Sequence, residues 1–188
     1  MMHRLTRLRA CGWVPVALFA SIVLCTLAGR VLHAQRSNRV PPPAGSAVFD
    51  WQLFALNGER LTLQTFRGRV LVINHWATWC TPCLEELPSL SALRAAVPDT
   101  SVAFLLVTPQ SRLPVTEFVR RRGITLPVYL EATPVPRIFG FEAVPTTWVL
   151  DRSGAIVLKR RGAMRWDTPE MIALLRTLLA EAAVDRPD

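Results

Sequence analysis

Cysteine and histidine are scarce in this chain, and their scarcity excludes several kinds of site. The 188 residues include four cysteines and three histidines. After residue 40 only Cys80, Cys83 and His75 remain. A closed tetrahedral zinc site needs four ligands, so the sequence argues against zinc. A haem-attachment motif is excluded as well, because Leu84 rather than a histidine follows Cys83.

Acidic residues are absent from the first 40 positions. That stretch has six arginines, which account for most of the formal net charge of +8 and leave +2 for residues 41–188. A nucleic-acid partner would need a basic face on the folded part. The basic clusters there, Arg120–Arg122 and Lys159–Arg161, are interpreted as solvated surface. We therefore expect no nucleic-acid partner.

Charge is also missing from a run of twenty residues, 10–29 (Ala10–Gly29). A helix of that length, rising about 1.5 Å per residue, spans the roughly 30 Å hydrocarbon layer of a bilayer. Arginines precede the run, which favours a cytoplasmic N-terminus. A cleaved signal peptide is the alternative, but the run is long for one, so an uncleaved transmembrane anchor is favoured. Either segment directs export. The folded part is therefore expected in the periplasm or otherwise outside the membrane, held to the inner (cytoplasmic) membrane by a single pass.

The other positions suggest a linker, one domain and a tail. Residues 1–9 form a basic N-terminus. Residues 30–47 are rich in Arg, Pro, Ser and Gly, and Pro41–Pro43 favours a stiff, extended linker that lifts the domain off the membrane. Residues 48–184 have the length of one domain, and residues 185–188 form a C-terminal tail.

Hydrophobic patterning predicts the elements of that domain. Asn57–Gly58 is a strong hairpin signal. Continuous apolar runs alternate with helical segments, which is typical of parallel strands buried on both faces. The order predicts an α/β fold, with a central mixed sheet, helices on both faces, an added N-terminal β-hairpin and a closing helix. The predicted strands after the hairpin are 70–76, 102–108, 126–130, 146–150 and 155–158, and the predicted helices are 84–96, 113–122, 135–140 and 169–183.

The segment Trp79-Cys80-Thr81-Pro82-Cys83 lies at a predicted strand-to-helix junction. A disulfide between its thiols closes a loop too short to constrain the fold much, so the pair is interpreted as a working dithiol. The attacking species must be a thiolate, and a helix N-terminus favours negative charge. Cys80 is therefore predicted to be the exposed nucleophile and Cys83 the resolving thiol. No cation separates them, which predicts a less oxidising couple than one with an intervening histidine.

These features resemble those of the thioredoxin-like family and, within it, the membrane-anchored TlpA/ResA group of exported thiol–disulfide oxidoreductases, which have a redoxin (AhpC/TSA-like) domain. The similarity covers about residues 48–184. The matching stretches are Asn57–Gly58, Asn74–Cys83, Glu86–Pro88 and Ala143–Asp151. Their spacing is far more specific than a Cys-x-x-Cys motif alone. The resemblance implies a thioredoxin-like fold and no cofactor.

The resemblance also implies roles for individual residues. Cys80 and Cys83 match the redox pair. Pro145 matches the family's cis-proline, which presents the backbone of Val144 to a substrate strand. Trp79 flanks the nucleophile and completes the predicted substrate-binding set with Val144 and Pro145.

Glu86 matches a carboxylate near the active site that helps to handle protons. An exposed helix residue is the alternative interpretation, and the neighbouring Glu85 competes for the role. Asn74 stands where thioredoxin has a buried Asp, which leaves Glu86 as the proton-transfer group. His75 takes a place commonly held by Phe and is predicted to be a core histidine satisfied by a backbone group. Trp166 is interpreted as a packing residue.

The sequence therefore predicts an enzyme, an exported reductase of protein disulfides. Its predicted partners are a membrane electron donor of the CcdA/DsbD type and substrate proteins with cysteine pairs, such as apocytochrome c or a copper-site protein. Thr146 weakens the assignment to cytochrome c biogenesis, because that branch often has Glu after the cis-proline. Two alternatives stay open: a disulfide-forming oxidase on the same fold, and a Cu(I)-binding or delivery module.

Overall fold

A computed structural model describes residues 48–98 and 100–184 of the chain. Within these residues it has seven strands, three α-helices and two 3-10 turns. The strands are β1 (Gln52–Ala55), β2 (Arg60–Thr62), β3 (Val70–His75), β4 (Val102–Thr108), β5 (Val128–Glu131), β6 (Thr146–Leu150) and β7 (Ile156–Arg161). The helices are α1 (Thr81–Ala96), α2 (Arg112–Arg122) and α3 (Pro169–Val184), and the turns are Leu63–Phe66 and Arg137–Phe139.

The predicted membrane segment 10–29, the linker 30–47 and the tail 185–188 lie outside the described residues. Among the residues that are described, none of the helices combines the length and the hydropathy needed to cross a bilayer. The anchor therefore stays a prediction from the sequence.

The strands form one mixed sheet in the order β2-β1-β5-β4-β3-β6-β7. β3, β4 and β5 run parallel, and the other neighbours pair antiparallel. Every residue of β3 and β4 is buried. This explains their apolar sequences, since a strand covered on both faces has no solvent side. α1 and α2 provide the crossover connections that parallel strands require.

Different elements cover the two faces of the sheet. Side chains alternate along β3, so Val70 and Val72 pack on one face, whereas Leu71 and Ile73 pack on the other. The first face is covered by α1, α2 and α3. The second is covered by residues 48–51 and by the two 3-10 turns. All three described α-helices therefore lie on one face of the sheet, and the helical cover of the other face is limited to the two 3-10 turns. The prediction of helices on both faces is wrong for the α-helices.

Two element boundaries differ from the predictions in ways that matter for the site. α1 begins at Thr81, before the predicted start at residue 84, and Cys80 is its N-cap, in an extended conformation. β7 continues to Arg161, past the predicted end at Leu158. β7 lies at the edge of the sheet with β6 as its neighbour, so its outer residues can stay in the sheet without being apolar.

Candidate active site

The turn between β3 and α1 holds the two cysteines at the start of a helix. Cys80 is the N-cap, and Cys83 lies in the first turn of α1. Their sulfurs form a disulfide with a Cα–Cα distance of 5.2 Å. The backbone N–H of Cys83 donates to Cys80 Sγ at 3.2 Å, a contact that favours negative charge on this sulfur once the bond is reduced. Both cysteines are buried in this disulfide form, with exposed fractions of 5% for Cys80 and 0% for Cys83. The prediction that Cys80 is exposed is therefore wrong, and its role as the nucleophile stays a prediction.

Trp79 stands out from the surface directly before Cys80. Its exposed fraction is 72%, whereas Trp76 is fully buried and packs against Phe118. An exposed tryptophan offers a large apolar area that a partner protein can cover. Its exposure fits the predicted place of Trp79 in the substrate-binding set.

Val144 and Pro145 immediately precede β6 and are joined by a cis peptide bond. β6 pairs with β3 in a register that puts Thr146 opposite His75, the last residue of β3. Pro145 therefore lies at the same end of the sheet as the turn with the cysteines. Pro145 is buried and Val144 is half-buried, which leaves part of Val144 accessible to a partner.

Glu86 is a buried carboxylate on α1, one turn after Cys83. Its exposed fraction is 2%, whereas its neighbour Glu85 is exposed. Residues three apart on a helix share a face, so the face of α1 that buries Cys83 also buries Glu86. The alternative interpretation of Glu86 as ordinary surface charge is therefore wrong. Glu85 lacks the buried environment that would let it compete for the proton-transfer role.

Three hydrogen bonds hold the Glu86 carboxylate. Asn74 Nδ2 donates to Oε1 at 2.7 Å, and Trp166 Nε1 donates to Oε2 at 2.8 Å. The backbone N–H of Met164 also donates to Oε2, at 3.3 Å. Burial raises the pKa of Glu86, and the hydrogen bonds oppose that rise because they favour the ionised form. A carboxylate with a raised pKa is a better proton acceptor than an ordinary surface carboxylate.

The partners of Glu86 also make contacts of their own. Trp166 is fully buried, but the interpretation of it as a packing residue alone is wrong, because its indole donates to the carboxylate. Asn74 on β3 also donates to Thr147 Oγ1 at 2.8 Å. Its own Oδ1 has no hydrogen-bond partner within the described part of the chain.

Comparison with known proteins identifies the family. The family model described as Redoxin matches residues 42–175. The chain belongs to the Redoxin family.

The family's relatives include enzymes named for disulfide exchange. The thioredoxin-like protein YneN of Bacillus subtilis (strain 168) is 28% identical over 145 residues, which cover 73% of this chain and 85% of that protein. The thiol-disulfide oxidoreductase ResA of Geobacillus thermodenitrificans (strain NG80-2) is 32% identical over 114 residues, 60% of this chain and 66% of that protein. The crystal structure of StoA from Bacillus subtilis shares the fold with a TM-score of 0.54, at 22% identity, over 69% of this chain and 95% of that one. This Redoxin-family chain is a thiol–disulfide oxidoreductase with a thioredoxin-like fold.

Gln110, just after β4, forms hydrogen bonds with the turn that precedes the cysteines. Its Oε1 accepts from the backbone N–H of Thr78 at 2.8 Å, and its Nε2 donates to Thr78 Oγ1 at 2.9 Å. Thr108, the last residue of β4, adds a contact from its Oγ1 to Gln110 Oε1 at 3.3 Å. The turn that leads into Cys80 is thereby tied to the end of a central strand. No motif in the sequence marks Gln110 for this role.

His75 faces the opposite side of the sheet from Asn74, because consecutive residues of a strand point to opposite faces. Its Nε2 lies 2.5 Å from Oε1 of Glu131 at the end of β5. Its ring packs against Phe141 with a centroid distance of 4.2 Å. The prediction that a backbone group satisfies His75 is therefore wrong, since the partner of its Nε2 is a carboxylate.

Proposed function

We propose that this oxidoreductase is an exported, membrane-anchored reductase of protein disulfides that acts through Cys80 and Cys83. The observation that supports the reductase direction is the small number of groups that would stabilise a thiolate at Cys80. Among the described residues, Cys80 Sγ accepts one hydrogen bond, from Cys83 N. The intervening residues, Thr81 and Pro82, have no charge. A strongly oxidising couple depends on a well-stabilised reduced form. Beyond this hydrogen bond and its place at the start of the helix, the described residues show no cation bonded to Cys80 Sγ.

The reaction is two successive thiol–disulfide exchanges. The Cys80 thiolate attacks one sulfur of the substrate disulfide, the substrate S–S bond breaks, and the other sulfur leaves as a thiolate. Cys83 then loses its proton and attacks Cys80 Sγ. This expels the second substrate sulfur as a thiolate and forms the Cys80–Cys83 disulfide. Two electrons pass from the enzyme to the substrate, and each substrate thiolate then takes up a proton from its surroundings. A dithiol of the donor protein restores the enzyme by the same exchange.

Glu86 is the proposed acceptor of the Cys83 proton. Cys83 is fully buried, so its proton needs an internal acceptor at the moment of the second attack. Glu86 lies on the same face of α1 and has a raised pKa. Asn74 and Trp166 hold its carboxylate in place through hydrogen bonds.

The location and the partners are part of the same proposal. Residues 10–29 would anchor the chain in the inner (cytoplasmic) membrane and leave the domain in the periplasm or otherwise outside the membrane. A membrane donor of the CcdA/DsbD type would supply electrons, and the cysteine pairs of apocytochrome c or of a copper-site protein would receive them. The uncharged run before the domain and the similarity to ResA support this proposal.

The reduction potential of the full chain, equilibrated with glutathione in detergent, tests the direction. A potential well above about −150 mV would contradict the reductase and favour the oxidase. Alkaline extraction of membranes and protease accessibility of the domain test the anchor and its orientation.

The full chain in detergent also allows a test of the Cu(I)-binding alternative. Residues 48–98 and 100–184 contain no group of three or more His, Cys, Asp or Glu side chains placed to hold a metal ion. A copper site there would depend on the two thiolates. Stoichiometric copper retained by the reduced protein and lost in Cys83→Ser would favour that function.

A further inference from the structure

The last residues of β7 run beside the cis-proline. The backbone N–H of Gly162 donates to Pro145 O at 2.9 Å. The register puts Arg161 opposite Thr146 and Arg160 opposite Thr147. Because neighbouring strands lie about 4.8 Å apart, these arginines border the segment predicted to receive the substrate. We refer to residues 159–163 as the basic corner.

The backbone of the basic corner is open to a partner. Gly162 has a φ of 81°, and a Cβ built on it would meet no atom within 4 Å. Ala163, the next residue, is exposed. A partner chain that pairs with the backbone of Val144 would therefore find free space at this corner, not a covering side chain.

The basic corner is also positively charged on both faces of the sheet. Lys159, Arg160 and Arg161 are all exposed. Arg161 and Lys159 lie on one face, where Glu142 pairs with both. Arg160 points to the other face and has no acidic partner among the described residues. Asp167, on the segment before α3, is paired with Arg165. Arg160, two positions before the residue that pairs with Pro145, thus has no ion-pair partner among the described residues.

Protection of a sheet edge is the simpler explanation for this charge. Charged residues on edge strands prevent pairing with other chains. In β7, however, the charges are confined to Lys159–Arg161, while Ile156, Val157 and Leu158 are apolar and half-buried. The charged half is the half beside Pro145, where pairing with another chain is the predicted function and not a hazard.

We propose that the basic corner selects protein segments with acidic side chains next to the cysteine that is attacked. Arg160 meets a partner carboxylate directly. Arg161 can exchange Glu142 for the partner, because an ion pair this exposed contributes little stability. This inference rests on the proposed disulfide reductase and names the class of its substrates. It also revises the interpretation of Lys159–Arg161 as plain solvated surface.

Three synthetic peptides test the proposal with the full chain in detergent micelles. Each has one internal Cys-x-x-Cys disulfide, flanked by Glu in the first, Gln in the second and Lys in the third. The enzyme is reduced with dithiothreitol, freed of it, and mixed with each peptide. The second-order rate constant is then measured at low and at high ionic strength.

We expect the Glu peptide to react about tenfold faster than the Gln peptide at low salt, and the Lys peptide more slowly than either. High salt should largely remove these differences, because such charges are screened. Arg160→Glu should abolish or reverse the preference, measured as the ratio of the rate constants for the Glu and Gln peptides. Arg160→Gln provides a milder change with the same expected direction. Arg176→Glu, an exposed arginine on α3, alters the net charge equally and should leave the preference in place.

Two results would overturn the proposal. One is equal rates for the Glu and Lys peptides with the parent enzyme. The other is an Arg176→Glu effect as large as that of Arg160→Glu, which would mean that net charge and not the basic corner sets the preference. Failure to reduce the Gln peptide at all would instead contradict the proposed reductase itself.

Discussion

Trp166 donates a hydrogen bond from its indole nitrogen to the buried carboxylate of Glu86, at 2.8 Å and across 80 positions of sequence. A second link lies beside it, because the backbone N–H of Trp166 donates to Ser89 Oγ at 3.1 Å. The segment before α3 is thereby fixed against α1. The acid–base behaviour of a group next to the redox pair thus depends on a residue that is distant in the chain.

Glu86→Gln should change how stability depends on pH. Burial raises the pKa of Glu86 in the folded protein above its ordinary value of 4.5, so the folded state binds this proton more tightly than the unfolded chain. The resulting stabilisation is fully present below the unfolded pKa and is lost as pH rises through the folded pKa. Each unit of elevation corresponds to about 1.4 kcal/mol. The Gln variant should therefore gain stability relative to the parent as the pH rises above the ordinary value of 4.5.

Urea unfolding of the two oxidised proteins below and above that pH measures the difference. Parallel stability profiles would mean that Glu86 titrates alike in the folded and unfolded states.

Trp166→Phe should raise the pKa of Glu86 further. The phenyl ring keeps most of the packing, but the donor to Oε2 is lost, and a hydrogen bond to a charged group contributes about 1.5–3 kcal/mol. The loss of stability should be largest where Glu86 is ionised and smallest where it is protonated.

Trp148→Phe is the matched control. Trp148 is equally buried, and its indole donates to the neutral carbonyl of Phe139 at 2.8 Å. Its destabilisation should not vary with pH over the range in which Glu86 titrates. The same pH dependence in both variants would contradict a special role for the Trp166 indole.

The redox pair and its setting could be predicted because local pattern determines them. An apolar run gave the strand before Cys80, and a helical segment followed Cys83. The burial of Glu86 could also be predicted, since a residue three positions after a buried cysteine lies on the same face of the helix. Its identification as a site residue nevertheless came from the family resemblance.

The polar partners could not be predicted from the sequence. Glu131 meets His75 across 56 positions, and Gln110 meets Thr78 across 32. Apolar periodicity shows which side chains are buried, but not which buried polar groups meet. The full length of β7 could not be predicted either, because apolar pattern does not show where backbone pairing continues. Backbone pairing with β6 extends it through Lys159–Arg161, where no apolar pattern marks a strand.

Cys83→Ser should accumulate mixed disulfides with partner proteins. The Cys80 thiolate can still attack, but the variant has no thiol to resolve the product. Non-reducing electrophoresis of membranes, followed by mass spectrometry of the trapped species, would identify both the partners and the cysteine that holds them. Cys80→Ser is the control and should trap little. Trapping seen with Cys80→Ser but not with Cys83→Ser would reverse the two roles.

Gln110→Leu should slow disulfide exchange while the fold stays intact. The variant loses both hydrogen bonds to Thr78, each contributing about 0.5–1.5 kcal/mol, and the turn before Cys80 gains freedom. A misplacement of about 1 Å can cost about a hundredfold in rate, so we expect a slowing between about tenfold and a hundredfold.

Gln110→Glu separates positioning from simple loss of volume. An ionised carboxylate can accept from Thr78 N and also from the Thr78 hydroxyl, so this variant should recover most of the rate. Stopped-flow measurement of exchange with a small disulfide gives both rate constants. If the Glu variant is as slow as the Leu variant, the two contacts with Thr78 do not set the position of Cys80.

Trp79→Ala should weaken the interaction with protein substrates at little cost in stability. With 72% of the side chain already exposed, folding buries little of it, and surface substitutions usually change stability by no more than about 0.5 kcal/mol. A tryptophan that a partner covers can contribute about 2 kcal/mol or more to binding. The apparent KM for a protein disulfide should therefore rise about thirtyfold, while kcat changes little. Leu113→Ala, at an exposed leucine of α2 with 80% exposure, tests whether loss of any exposed apolar side chain has the same effect. An unchanged KM in Trp79→Ala, measured with a protein disulfide that the parent reduces, would remove Trp79 from the substrate-binding set and leave Val144 and Pro145 as its members.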